Sequence, residues 1–528
     1  MALTSAPSFS SDAMSDKKYE EGRGRAVLAT DPTLGAIGED MDEGAQLAGE
    51  VAQTFTDEEM NAVRRKIDLR MVPLLAAVYF SQFLDKNSIN YSSVMGLPIK
   101  GEHYNLVTMA FYLGFLIFEM PQSSLSAKFP RAKFLGVNML LWAASLILHS
   151  ATAIFGVFFL FRFLLGAFEC VVSPILIAMV AMWYKKSEQS KRIGAFYVCN
   201  GITQILGGLM AWGITHYKGD DVAHWRIIYF LLGGLAFVVA IAVLIWLPDS
   251  IASAKFLTTR EKEIALERVR DNASGTVSYT FKKEQAKEAF TDIKVWMLCL
   301  CMATVCVPNA AITSFTSILL KTSLGYTSQE ALIMNMPCGA VAIVTTLTVC
   351  YIADKKHLRM LPYILSIIPS IIGMGLLVGF SKEVTGAQNR AALLAGILLS
   401  QCFVSGIALL YSWSAANIGG STKKAVVNAM MLIAFGGGNL AGSQAFQAKD
   451  APQYLPGKIA LLVLLLVTAA IAVGMHVYIG ITNRRKADAL AELVQQNGWT
   501  EEDVQREKDK LAFADLSDTK NVFFTYVQ

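Results

Sequence analysis

Four ionisable residues stand where charge is most costly, inside long apolar runs. Asp85 and Lys86 interrupt the first run in QFLDKNSINYSS, and Arg162 and Glu169 interrupt the fourth in FRFLLGAFECVVSP. An ionisable group at mid-bilayer costs roughly 2.5–3.5 kcal/mol on insertion scales, so such residues face a partner or a watery cavity and mark functional sites. Seven residues make about two helical turns, which puts Arg162, Gly166 and Glu169 on one face with the charges roughly 10 Å apart. Gly166 leaves that face flat, open to the backbone approach of a neighbouring helix or a solute. Asp85 and Lys86 point about 100° apart, so one can face a cavity while the other meets the fourth run.

Two chemistries are open to this quartet. In the first it is a static network, Asp85 with Arg162 and Lys86 with Glu169, nearly neutral and holding helices together. In the second it is a proton relay joined to an anion clamp. Desolvation disfavours a charged carboxylate and a nearby cation favours it. Protonation is then toggled by whether that cation is free or occupied by an anion.

Membrane-spanning helices must position these groups. The 528-residue chain is 54% hydrophobic and only 17% charged, with a mean hydropathy of +0.44; soluble chains carry about 25% charged residues. Apolar runs long enough to cross a bilayer recur at 69–93, 105–127, 134–151, 154–182, 193–216 and 225–247, then at 294–319, 330–352, 360–380, 391–413, 426–447 and 459–481. The pattern predicts an all-α polytopic membrane protein with twelve transmembrane helices in two six-helix bundles, 69–248 and 294–481. A disordered cytoplasmic tail covers 1–68, a cytoplasmic central loop with a charged helix covers 249–293, and a second cytoplasmic tail covers 482–528. Lysine and arginine gather in alternate turns, as in Lys128, Arg131 and Lys133 or Lys355, Lys356 and Arg359. That bias places both termini in the cytoplasm.

Composition also excludes functions. The net charge of +4 is distributed by topology, not as a nucleic-acid footprint. All eight cysteines fall in apolar runs and read as small core residues, with no metal site or disulfide framework. There is no nucleotide-binding motif and no nucleophile–base pair, so the chain is not expected to be an enzyme, needs no cofactor, and draws energy from a gradient. The second half offers neutral amides: Asn309, Asn335, Gln401, Asn417, Asn439 and Gln444. Asn439 and Asn417 are the candidate solute-binding amides, Asn439 because GGGNLAG surrounds it with glycines where a helix can bend. Trp142, Trp183, Trp212, Trp246 and Trp413 read as interface anchors near span ends.

These segments resemble the major facilitator superfamily, in particular its anion:cation symporter family and the fungal allantoate permease-like branch. The likeness is carried by KIDLRMVPLL, FLDKNSINYSSVMGL, RFLLGAFE, HWRIIYFLLGG, LPDSIASAKFLTTREK, SWSAANIGGSTKKAVVNAM and FADLSDTKNVFFTY. The resemblance implies a monomeric plasma-membrane carrier of the major facilitator fold that moves a small organic anion with protons by alternating access. Ureido acids, nicotinate, pantothenate or biotin are the implied substrates. It further implies that Asp85 and Glu169 couple protons, that Lys86 holds the carboxylate, and that Arg162 is the switchable partner of Asp85. The alternatives are an exporter of an acidic secondary metabolite and a non-transporting nutrient receptor. Two departures stand out. The basic loop 127–133 lacks the family's usual Asp, so contacts of Glu119 or Glu169 are expected to replace it. Lys86 stands where relatives often have Arg, so the bidentate fork is missing.

Overall fold

A computed structural model describes residues 55–126, 128–219, 221–273, 282–356, 358–381, 387–505 and 516–527, all within one unit, Gln53–Gln528. Every regular element among them is helical. The first half contains α1 (Asp57–Val94), α2 (Glu102–Ser126), α3 (Arg131–Ala151), α4 (Phe155–Trp183), α5 (Lys186–Ile214) and α6 (His224–Trp246). Two short helices follow, α7 (Thr259–Ala273) and α8 (Lys283–Thr291). The second half contains α9 (Ile293–Thr322), α10 (Ser328–Ala353), α11 (Met360–Gly379), α12 (Asn389–Asn417), α13 (Ser421–Gly442) and α14 (Leu455–Asn497). Eleven of these are long and apolar enough to cross a membrane. α5 opens on the polar turns KSEQSKR and carries a shorter apolar stretch, Val198–Ile214.

Within the first half α3 packs along α6 and α2 along α4; within the second, α9 packs along α13 and α11 along α12 and α14. The halves meet through α2 with α13, α5 with α10, and the end of α1 with α9. Glycines permit the closest crossings. A Cβ on Gly166 would run into the carbonyl oxygen of Phe111, and one on Gly114 into that of Phe163, so α2 and α4 touch backbone to backbone.

Helix ends differ from the expected boundaries. Residues 1–54 of the expected tail lie outside the described residues. The rest of that segment is not loose, because α1 starts at Asp57 behind a capping box in which Thr56 and Glu59 satisfy each other's backbone N–H. The central segment carries α8 in addition to the expected charged helix. α14 runs without a break from the last span to Asn497, well into the expected second tail.

Two spans are interrupted beside the charges. α1 breaks at Asn87, immediately after Asp85-Lys86; the Asn87 side chain donates to the Phe83 carbonyl at 2.9 Å, competing with the helix ladder. α4 breaks at Cys170–Val171, immediately after Glu169. Pro174 has no N–H to offer the Cys170 carbonyl, so the ladder fails there.

Candidate functional site

The first bundle brings Asp85, Lys86, Arg162 and Glu169 into one cluster, close enough to act on one another electrostatically. Asp85, Arg162 and Glu169 are buried, and Lys86 is half-buried. Neither expected pairing is a contact in this structure. The Asp85 carboxylate accepts a hydrogen bond from Trp142 Nε1 and a longer one, 3.5 Å, from Ser88 Oγ. Arg162 Nε and both carboxyl oxygens of Glu169 have no hydrogen-bond partner. A static ion-pair network is therefore not what holds these helices together here, and the contact between Asp85 and Arg162 is not made. An uncompensated buried charge costs several kcal/mol, so groups left unpaired at these positions are costly to keep there.

Lys86 has a different kind of partner. Its ammonium lies 5.6 Å from the ring centroid of Phe83, 5.8 Å from Phe111, 5.7 Å from Tyr112 and 5.6 Å from Phe435. All four distances fall within the roughly 6 Å range of cation–π attraction, worth about 2 kcal/mol when desolvated. Phe83, Phe111 and Tyr112 belong to the first half and Phe435 to the second.

On the second half's side, Asn439 is fully enclosed. It accepts from Asn309 Nδ2 at 2.9 Å and donates to the Phe435 carbonyl at 2.8 Å, tying α9 to α13 beside the Phe435 ring. The glycines around it act differently from expectation. α13 stays helical throughout, and Gly438 and Gly442 instead let it press on the Ala303 and Val307 carbonyls of α9. Asn417 does not join the cluster. Both ends of its amide hold Val527, donating at 2.9 Å and accepting at 2.6 Å, because it closes α12 where the chain's last residues dock.

Several residues were missed or misplaced by the sequence reading. Trp142, Trp183 and Trp413 are buried to within 1%, so they are not interface anchors; Trp142 is the donor to Asp85. Its place halfway along its apolar run was the signal. The spacing of Phe83 and Lys86, one helical turn apart, foreshadowed one wall of the aromatic cage. His149, whose ring stacks on Tyr229 at 5.3 Å and leaves Nε2 without a partner, adds another enclosed polar group to the first bundle. The missing acid of the basic loop is supplied by neither Glu119 nor Glu169. Asp249 of LPDS accepts from the backbone N–H of Ala132 at 2.9 Å and of Lys133 at 3.2 Å, capping α3.

Among the described residues, four hydrogen bonds join the halves at the end where α1 stops and α2 starts. Tyr104 donates to Ser314 at 2.6 Å, Asn105 to Phe446 at 2.8 Å, Ser317 to Asn90 at 2.9 Å and Gln444 to Asn105 at 3.2 Å. At the opposite end Arg192 pairs with Asp68 at 2.7 Å within the first half, and Lys423 with Asp292 at 2.8 Å beside the second.

Eleven helices long and apolar enough to cross a membrane, arranged in two halves around an enclosed cluster of charge, are the architecture of an integral membrane transporter. A family model described as Major Facilitator Superfamily matches residues 75–474, and the chain belongs to that superfamily. It is 32% identical to an allantoate permease of Saccharomyces cerevisiae, over 95% of this chain and 92% of the relative. It is 31% identical to the thiamine pathway transporter THI73 of the same yeast, over 91% of this chain and 89% of the relative. Among solved structures, a D-xylose–proton symporter shares the fold with a TM-score of 0.60 at 14% identity, covering 77% of this chain and 97% of that one. An inward-facing bacterial homologue of the lysosomal transporter Spinster does so with a TM-score of 0.58 at 15% identity, covering 77% and 96%.

Proposed function

We propose that this transporter moves a small organic anion, a carboxylate, together with protons by alternating access. Asp85 and Glu169 carry the protons, Lys86 meets the carboxylate, and Arg162 takes Asp85 as its partner in another conformation. The observation that carries the reading is a buried carboxyl, Glu169, with no donor to either oxygen, beside a half-buried ammonium that touches rings and no acid. A fixed scaffold would satisfy both groups; a coupling site must leave them free to change partners. Asn439 bears on the solute through Phe435, whose carbonyl it holds. The similarity to an allantoate permease fits, since allantoate is itself a carboxylate.

The gathering of Lys and Arg in alternate turns supports cytoplasmic termini, an orientation with the four bonds between the halves on the outer side. In this orientation the plasma membrane is the expected site and a monomer the working unit. Coupling requires that proton and anion together favour one arrangement of the halves over the other.

The test is uptake of labelled allantoate, nicotinate, pantothenate and biotin into proteoliposomes with an imposed pH gradient. Accumulation of one of them driven by an acidic exterior is expected. Uptake of the panel that is indifferent to the gradient overturns the proton coupling, and uptake of none of them overturns the anion assignment.

A further inference from the structure

The aromatic cage around Lys86 is built from both halves of the protein, and only one of its walls moves with the second half. Phe83 precedes Lys86 by one turn of α1, and Phe111 and Tyr112 stand on α2, which is locked to α4 at Gly114 and Gly166. Phe435 comes from α13. Its ring centroid is 6.1 Å from that of Phe115 on α2, and at the next residue a Cβ on Gly436 would lie 2.8 Å from Leu116 Cδ1. The halves therefore touch at the level of Lys86, and a rocking motion there opens or closes the cage.

A carrier that moves an anion must also return without it, and on that return a buried ammonium needs another partner. Pairing with Glu169 would serve, but a desolvated ion pair has to be broken before the next anion binds, and such pairs are costly to break. Ring faces hold the ammonium more weakly than a carboxylate does, since charge-assisted hydrogen bonds are the stronger class. They can occupy Lys86 and still yield to an incoming anion. We infer that the cage of Phe83, Phe111, Tyr112 and Phe435 is the partner of Lys86 during the anion-free return step, and that Phe435 is the positioning residue through which the second half completes it. This rests on the assignment of Lys86 to the carboxylate made above.

Net uptake requires the anion-free return, whereas exchange of labelled for unlabelled anion does not. The experiment compares both in proteoliposomes, using whichever carboxylate of the panel accumulates. Phe435→Leu keeps the bulk and removes the ring; Phe83→Leu does the same from the first half. Each is expected to slow net uptake at least about fivefold more than exchange, and Phe435→Tyr, which keeps a π face, to restore the ratio. Equal loss of net uptake and exchange in both leucine variants overturns the inference, as does an unchanged ratio or failure of Phe435→Tyr to rescue. Wild-type protein that neither accumulates nor exchanges any carboxylate overturns the anion assignment itself.

Discussion

Two clusters of buried charge in the protein are treated in opposite ways. In the first bundle Arg162 and Glu169 are enclosed with donor and acceptor atoms unmatched. At the end of the second bundle where α9 and α13 begin, the chain's last residues build a cluster in which the buried charges are paired. Lys423 Nζ lies 2.7 Å from Glu288, 2.8 Å from Asp292 and 2.7 Å from Asp518. Lys294 meets Asp518 at 2.6 Å and sits 3.8 Å from the Tyr526 ring centroid. Lys486 donates to the backbone carbonyls of Asp518, Asn521 and Phe524. Glu288, Asp292 and Asp518 are close enough together to suggest a metal site, but Lys423 already stands among them. Charge in the second region is saturated with partners, whereas charge in the first, which the proposed mechanism requires to change partners, is left wanting them.

The contrast breaks most visibly at Glu169. Glu169→Gln removes the proposed proton carrier while deleting no hydrogen bond that its carboxyl oxygens make, so gradient-driven accumulation should fall by at least about 100-fold. The melting temperature of the purified variant should stay within about 2 °C of wild type. A large loss of stability would mean that Glu169 is structural after all.

Asp518→Ala should do the reverse. It leaves Lys294 with only Asp292, at 3.5 Å, and Lys423 with two of its three carboxylates, at a cost of about 3 kcal/mol, while gradient-driven uptake per folded molecule persists. The same carboxylate makes the docking pH-dependent. Burial alone would push Asp518 up, but the charges and hydrogen bonds of Lys294 and Lys423 outweigh it and hold the carboxyl below the usual range. A lowered folded value means that the stabilisation is complete above the unfolded value, about 3.9, and is lost as pH falls through the folded one. Amide exchange in residues 516–527 should thus stay slow at neutral pH and quicken below about pH 4.

The two regions were not equally legible in the sequence. The spans could be read because bilayer thickness imposes a run length, and the quartet because charge in such a run is conspicuous. The pairing within each region was hidden. Lys423, Lys294 and Asp518 each look like ordinary loop or tail charges, and their contacts include ones between positions 131 and 224 residues apart in the chain. The cage was hidden for the same reason: Phe435 reaches Lys86 from another helix bundle, and an apolar residue in an apolar run carries no mark. Asn417 was misassigned because a buried amide at a span end looks alike whether it faces a solute or holds a docked tail.

A smaller effect sharpens the role of Trp142. Trp142→Phe keeps the ring and removes the donor to Asp85, a hydrogen bond to a charged group worth about 1.5–3 kcal/mol. Uptake should fall about tenfold, with half of that or less if Arg162 swings in to replace the indole. Combining it with Arg162→Gln separates the cases, since a substitute partner makes the double variant worse than the product of the two singles.

The smallest effect tests whether saturation, and not the mere presence of an ion pair, is what stabilises the second bundle. Lys520 and Glu284 are also paired, at 2.8 Å, and also join the chain's last residues to α8, but their side chains are 58% and 83% exposed. Water solvates both charges whether or not they meet, and salt screens what attraction remains. Lys520→Ala should therefore leave the melting temperature and the exchange rates of residues 516–527 unchanged, at low salt as at high. A loss comparable to that of Asp518→Ala would show that the count of bridges to the tail matters more than their burial, and the distinction drawn between the two buried-charge regions would fall with it.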